Sequence, residues 1–478
     1  MRNTGLWLSL LLVVTLALGG CKPSAEPLQA PANVEEDEGY TSEYTPEVES
    51  EEYIATIEDD TAYDVQATGQ PVSPGSPMFS FKKNWMGLTA EIHDKKLKNI
   101  CFPATHDSGT WSLQSRIAPE KEARDFEDMF KQGDQIFKDI KEFLGPVVSG
   151  VIGLDGIKDS IKKEIYRIVY AGTRGLAMCT NKTIDQQLND GIRAFDLRVY
   201  LSSKGAYTHH TLVGPSVEAM LSSIRSFLQS TNGEIVIVQM SAWIAEKDKT
   251  KRYQAFATKV QKEIGEYAYQ KKMSNGVITN PVFEQTYNDI FSQKKGPGSR
   301  VILVFNGAPV SVSNDPMIWD SDQLGMSGSY PNTTSKDNMI SDQKSKFTSA
   351  QSSGKPFRLY MTLTPQSDDC KTIVATKISN ELPDKIAPLI TWIPGVKEEL
   401  AKLIRNTIGI KEWKNDWRTV KGLSNKVNGD LGKTLKENFQ GPGLNNDKSN
   451  IITILYTDFY ENTTVVDMAI EYSRYPIK

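Results

Sequence analysis

Four histidines, His93, His106, His209 and His210, are spread over the 478 residues, and three of them lie in stretches that also carry the means for acid–base chemistry. His106 belongs to Thr105-His-Asp-Ser-Gly109, which follows the apolar run Leu97–Phe102 and Pro103. That reads as a buried strand delivering a histidine and the Asp107 carboxylate to a tight glycine turn. A second strand-like run, Gly191–Tyr200, places Asp196 and Arg198 on one face, because strand side chains repeat every second residue. A third segment, Tyr207-Thr-His-His210, adds the histidine pair. Together these make an acid–base set with an anion clamp: imidazole exchanges protons near neutral pH, and guanidinium offers planar, permanently charged donors. Taken singly, each residue has a plainer reading. His106 could be a structural strand-end residue, Asp196 and Arg198 an ion pair at a rim, and Asp458 the cap of a helix starting at Phe459.

Positioning such a set requires strands that end near one another. Apolar, β-rich runs recur at Ile100–Ala104, Ile192–Tyr200, Glu234–Met240, Arg300–Phe305, Arg358–Leu363 and Asn450–Thr457, with helical patterns such as Ser216–Ser230 and Lys251–Tyr269 between them. Alternation of this kind predicts an α/β fold with a largely parallel sheet.

Several motifs, in order, resemble the catalytic region of the bacterial phosphatidylinositol-specific phospholipases C. They are Asn84-Trp-Met86, Pro103-Ala-Thr-His-Asp-Ser-Gly-Thr110, Gln187-Leu188 with Gly191-Ile-Arg-Ala-Phe-Asp-Leu-Arg198, the pair His209-His210, and Leu455-Tyr-Thr-Asp-Phe-Tyr460. The resemblance spans about Asn84 to Tyr472. It departs from the family pattern at Ala104 and Thr211, where glycine is usual, and at Ser241, where an active-site lysine is expected. It implies a distorted TIM (β/α)8 barrel with helical insertions, whose catalytic residues sit at C-terminal strand ends. Cleaving a phosphodiester with an internal nucleophile needs a base, a cation and an acid. The resemblance gives His106 the base role with Asp458 orienting it, His210 the acid role with Asp107 supporting it, and Arg198 the phosphate clamp beside Asp196. His209 is an open alternative to its neighbour as the acid. The implied reaction releases diacylglycerol and inositol 1,2-cyclic phosphate from phosphatidylinositol. Where metal-dependent relatives carry a carboxylate, this chain has Arg198, so no metal and no other cofactor are expected.

Residues 1–21 read as a signal segment with Arg2, the apolar core Leu6–Leu18 and Leu18-Gly-Gly-Cys21. The core falls short of the ~20 apolar residues of a membrane span. Leu-Gly-Gly-Cys resembles a bacterial lipobox, implying lipidation at Cys21 and an envelope location, with Lys22 favouring the outer membrane or cell surface. Residues 22–77 carry fourteen acidic residues against one lysine and read as a solvated tether. Set apart from the tether's net −13 and the signal's +1, the body 78–478 carries +8 of the chain's −4. A basic body suits a phosphate-bearing substrate or an anionic lipid surface; no nucleic-acid motif accompanies it. The resemblance implies a membrane phospholipid as the partner, and the protein is expected to be a monomer.

Two insertions interrupt the pattern. Residues 117–178 are rich in helix formers around the apolar stretch Phe143–Leu154, and read as a packed helical subdomain or as a lid that touches the membrane. Residues 383–438 form a second helical insertion with Trp392, Trp413 and Trp417. Cys101, Cys179 and Cys370 are an odd count, with a Cys101–Cys179 bridge conceivable. Two other functions fit the composition. One is a phosphodiesterase acting on another phospholipid or on glycerophosphodiesters, and the other is a lipid-anchored binding protein without turnover.

Overall fold

The computed structural model describes residues 81–119, 124–148, 154–246, 248–293, 298–308, 311–312, 314–386, 388, 396–408, 419–439 and 452–474. The signal segment, Cys21, the tether and the three tryptophans of the second insertion lie outside them.

Among the described residues the strands are β1 (Phe102–Thr105), β2 (Ala194–Ser202), β3 (Gly205–His210), β4 (Leu212–Ser216), β5 (Ile235–Ala245), β6 (Met273–Ser274), β7 (Val277–Ile278), β8 (Arg300–Phe305), β9 (Ile318–Asp320), β10 (Phe357–Met361) and β11 (Ile452–Thr457). Seven of them form one parallel sheet in the order β10-β11-β1-β2-β5-β8-β9. Chain order runs steadily across it: β1, β2, β5, β8 and β9 are laid side by side, and β10 and β11 return to the free edge of β1. This is the winding sense of a singly wound barrel. Seven parallel strands curled in this sense agree with the TIM-like fold expected above, and among the described residues no ladder joins β9 to β10 to close it. A single parallel bridge among the described residues, Ser327 to Phe357, links the chain after β9 to β10.

The strand composition follows from this placement. β5 opens with Ile-Val-Ile-Val, and β8 is Arg-Val-Ile-Leu-Val-Phe, buried throughout. Parallel strands covered on both faces read as continuous apolar runs. Helices α1 (Arg124–Val148), α2 (Leu154–Ala177), α3 (Val217–Ser230), α4 (Lys249–Ile264), α5 (Lys336–Ser353), α6 (Ser367–Ile386) and α7 (Val396–Ile408) are the longer connections. Helix α3 buries Val217, Met220, Leu221, Ile224, Phe227 and Leu228, the helical spacing that packs one face on a sheet.

The two insertions are one structure. Ile161, Ile165 and Val169 of α2, Phe130 and Ile140 of α1, Val374, Ile378 and Leu382 of α6, and Leu400 and Ile404 of α7 share a single apolar cluster. Helices α1 and α2 follow the C-terminal end of β1, and α6 and α7 follow that of β10, so both halves are inserted at the same end of the sheet. Helix α6 starts at Ser367 and carries Pro383 within it. No helix among the described residues is long and apolar enough to cross a membrane. Cys101, Cys179 and Cys370 are free thiols, so the conceivable Cys101–Cys179 bridge is not formed.

At the opposite strand ends, Arg193 and Glu234 form a fully buried pair, with Nη2 to Oε2 at 2.6 Å. Arg193 also donates to the carbonyls of Leu188, Ile192 and Lys83, and Glu234 Oε1 accepts the Gly87 N–H. Burial pushes the Glu234 carboxyl up and the Arg193 guanidinium down, so each charge depends on the other. Trp85 Nε1 donates to Gly191 O beside them. The Asn84-Trp-Met86 and Gly191-Ile-Arg193 segments thus floor the sheet. Glu234→Ala is expected to lower the unfolding free energy by about 3–5 kcal/mol, because it strands a buried charge; urea denaturation checks this.

Candidate active site

The peptide N–H of His106 continues the β1 ladder by donating to Thr457 O, and the chain then turns sharply at Asp107, whose φ is +42°. Ser108 pins the turn. Its N–H donates to Asp196 O, and its Oγ accepts the Asp196 N–H. Gln187, fully buried, donates to Ser108 O, and its Oε1 lies 2.7 Å from Thr105 Oγ1. Gly109 has no alternative, since a Cβ there would lie 2.3 Å from Thr208 Cγ2. The Thr-His-Asp-Ser-Gly motif is therefore one locked loop, with only His106 and Asp107 given over to the site.

Asp107 is the centre of that site. Arg198 Nε donates to its Oδ1 at 2.7 Å, while His210 Nδ1 and His106 Nε2 lie 3.3 and 3.5 Å from its Oδ2. His106 Nδ1 faces Asp458 Oδ1 at 3.2 Å. The buried Asp196 carboxylate accepts from Gln239 Nε2 and Ser241 Oγ, both at 3.3 Å. All six residues singled out from the sequence are thereby brought together. The strand register explains why: Asp196 pairs with Gln239 and Arg198 with Ser241 across β2 and β5, while β8 ends at Phe305, opposite Met240. Arg198 thus stands at the C-terminal rim. With 27% of its side chain exposed it marks the opening, whereas His106 is 6% and Asp107 2% exposed.

The histidine pair divides cleanly. His209 is buried with Nε2 on Ala242 O at 2.7 Å, while His210 faces Asp107 and holds Ala177 O with Nδ1 at 2.7 Å. His93 is remote from this chemistry, stacked on Tyr287 with Nε2 against Met86 O. Asp458 does not cap a helix: Phe459 has φ +47°, and a short 3-10 turn, Tyr460–Asn462, follows.

Charge in the site is strongly coupled. Burial pulls the His106 imidazole down, but the carboxylates of Asp107, Asp458 and Asp196 more than offset it and push it up to about 9. Burial raises Asp107, yet Arg198, His106 and His210 outweigh that and hold it well below the usual carboxylate range. Burial, then the Asp107 charge, pushes Asp196 up. Backbone strain accompanies the charge. Asp107, Thr211, Ala242 and Phe459, all at or beside the site, have positive φ, and a β-branched residue such as Thr211 at +62° is a real outlier. That conformation is the physical reason a glycine would suit the position.

Several site residues had no sequence signal. Tyr330 stacks on the His106 ring with centroids 4.8 Å apart, and Tyr360 meets Tyr330 edge-on and stacks on Tyr456. Cys179 Sγ lies 3.8 Å from His106 Nδ1. Gln239 did leave a trace, as a polar residue inside an otherwise apolar strand. As for a hard cation, Asp107, Asp196 and Asp458 provide few oxygens against the roughly six to eight that calcium takes, and Asp107 is already held by Arg198.

No family model matches the chain, and no curated protein matches it. Among solved structures, the phosphatidylinositol-specific phospholipase C of Listeria monocytogenes is similar at 14% identity and a TM-score of 0.44, over 82% of this chain and 98% of that one. That of Staphylococcus aureus is similar at 12% identity and a TM-score of 0.46, over 83% and 98%. At such identity and scores these likenesses say nothing of the chemistry, which stands on the residues themselves.

Proposed function

We propose that the chain is a phosphodiesterase of the phospholipase C kind, cleaving phosphatidylinositol to diacylglycerol and inositol 1,2-cyclic phosphate. The observation that carries this is the convergence of His106, His210 and Arg198 on the single buried carboxylate of Asp107, with Asp458 behind His106. Neutral His106, donating its Nδ1–H to Asp458, has its Nε2 lone pair turned into the site and takes the proton of the attacking hydroxyl. His210, fixed through Nδ1, gives a proton from Nε2 to the departing glycerol oxygen. Arg198 stabilises the charge gathering on phosphorus-bound oxygens, and Asp107 holds the three side chains in register. Lipidation at Cys21 would tether this body to the bacterial envelope, close to its substrate.

A second head group is favoured by one observation. Ser241, neutral and bonded to Asp196, occupies the position at which the resemblance expects a lysine, so a different phospholipid or a glycerophosphodiester is an alternative substrate. The test is the full chain on vesicles of phosphatidylinositol, and separately of other phospholipids, with products identified. Cyclic inositol phosphate is expected, with no loss of rate on adding chelator. If chelation stops turnover and calcium restores it, the arginine-clamp reading is wrong.

The pH profile follows from the charges. A base must be neutral, and His106 sits at about 9, so kcat/KM should climb from pH 7 towards 9. Asp458 favours the imidazolium; Asp458→Asn removes that attraction and should move the climb acidward by about one unit or more. A profile that stays in place in the variant would separate Asp458 from the titrating base.

A further inference from the structure

Cys179 has no part in the reaction proposed above, yet it is built into the site. Its N–H donates to Thr110 Oγ1, and its carbonyl accepts the Phe459 N–H, which ties the loop after β1 to the residue following Asp458. The side chain is 1% exposed and points at the imidazole of His106. His106, Cys179 and Asp458 present one nitrogen, one sulfur and one carboxylate oxygen, all within 4.8 Å of one another.

Two of the three separations are close to those of a tetrahedral metal site. Bonds of about 2.3 Å to sulfur and 2.0–2.1 Å to nitrogen and oxygen, at tetrahedral angles, place nitrogen and oxygen about 3.3 Å apart and nitrogen and sulfur about 3.6 Å apart. The distances from His106 Nδ1 are 3.2 Å to Asp458 Oδ1 and 3.8 Å to Cys179 Sγ. Little rearrangement would bring all three onto one ion. The donor set of one thiolate, one imidazole and one carboxylate selects zinc or another thiophilic divalent ion over calcium or magnesium. The same sulfur also lies within 4.8 Å of ligand atoms of Asp107 and His210.

We infer that His106, Cys179 and Asp458 form an inhibitory binding site for a thiophilic divalent cation such as Zn²⁺. Binding forms metal–sulfur, metal–nitrogen and metal–oxygen bonds and releases to solvent the thiol proton of Cys179 and the Nδ1 proton of His106; no oxidation is involved. A metal on Nδ1 leaves the ring proton on Nε2, so His106 has no lone pair to offer a hydroxyl. The inhibitory half of this inference rests on the role proposed for His106, and the binding half does not.

The experiment uses the full chain with Zn²⁺ and with Co²⁺ as a spectroscopic stand-in. One Zn²⁺ per chain should bind by calorimetry, with proton release, and Co²⁺ should give a thiolate charge-transfer band. Zn²⁺ should abolish turnover, and chelator should restore it. Cys179→Ser should weaken Zn²⁺ binding by about a hundredfold or more, since it replaces the soft ligand, and should erase the cobalt band. Cys21→Ser, Cys101→Ser and Cys370→Ser should leave both in place. Asp458→Asn, read by binding alone, should weaken the site independently of sulfur. The inference is overturned if wild type takes up no stoichiometric metal, or if the cobalt band survives Cys179→Ser in a chain whose circular dichroism is native. Cys179-dependent binding in a chain without phosphodiesterase activity would keep the site and remove the inhibition along with the proposed function.

Discussion

His106→Ala is expected to remove essentially all phosphodiester cleavage, by about 10²–10⁴-fold in kcat, the range for a positioned acid or base, while the fold survives. Both halves of the expectation come from where the residue sits. The ring lies just past the end of β1, between Asp458 and Asp107, and stacks on Tyr330; it fills no part of the sheet core. Its backbone bonds, to Thr457 O and through the Ser108 turn, do not depend on the side chain. Truncation does leave Asp107 and Asp458 facing each other without the intervening imidazolium, so a modest stability loss should appear at neutral pH, where His106 is protonated. Because its pKa is raised from an ordinary 6.5 to about 9, His106 contributes stability that is complete below about 6.5 and is lost as pH rises through 9. The stability gap between wild type and variant should therefore narrow above pH 9. Steady-state assays with urea titrations at pH 6 and pH 9.5 test both statements. Retention of more than about a tenth of wild-type turnover would remove His106 from the base role.

The residues that the fold brings together were more legible in the sequence than the architecture that does so. His106, Asp107, Asp196, Arg198 and Asp458 each sit in or just beyond a strand with a strong apolar signature, and strand periodicity alone puts Asp196 and Arg198 on one face; His210 ends the polar strand β3. What the sequence could not show is what reaches the site from a distance. Tyr330 is in a long connection after β9, and Cys179 ends a helical insertion; nothing local distinguishes either from an ordinary loop residue, since their roles arise from packing. The histidine pair was ambiguous for a related reason: adjacent strand residues point to opposite faces, and only the pairing of β3 with β2 and β4 settles that His210 faces Asp107. The insertions were located as helical, but their union into one apolar cluster is a long-range contact that no periodicity encodes. Of the seven parallel strands, only β9 among the described residues is missing from the runs read from sequence, being three residues long.

Arg198→Lys should be nearly as damaging as loss of the base, although charge is kept. Arg198 does two jobs at once. Its Nε donates to Asp107 Oδ1 at 2.7 Å, and its guanidinium carries the positive charge to the rim where phosphate would arrive. A planar fork can direct one edge at a carboxylate and another at phosphate; a single ammonium cannot hold both geometries. In the lysine variant, Nζ that settles on Asp107 is withdrawn from the substrate, and Nζ that reaches the substrate leaves Asp107, already 2% exposed, short of a donor. Asp107 then aligns His106 and His210 less firmly, so kcat as well as KM should suffer. A fall of about 10²-fold or more in kcat/KM is expected, the scale of losing one oriented donor to transition-state charge. Free guanidinium should restore part of the turnover of Arg198→Ala, where a cavity receives it, and none of that of Arg198→Lys, where the side chain occupies the space. A lysine variant within tenfold of wild type would show that charge alone is required at this position and that the fork geometry against Asp107 is structural.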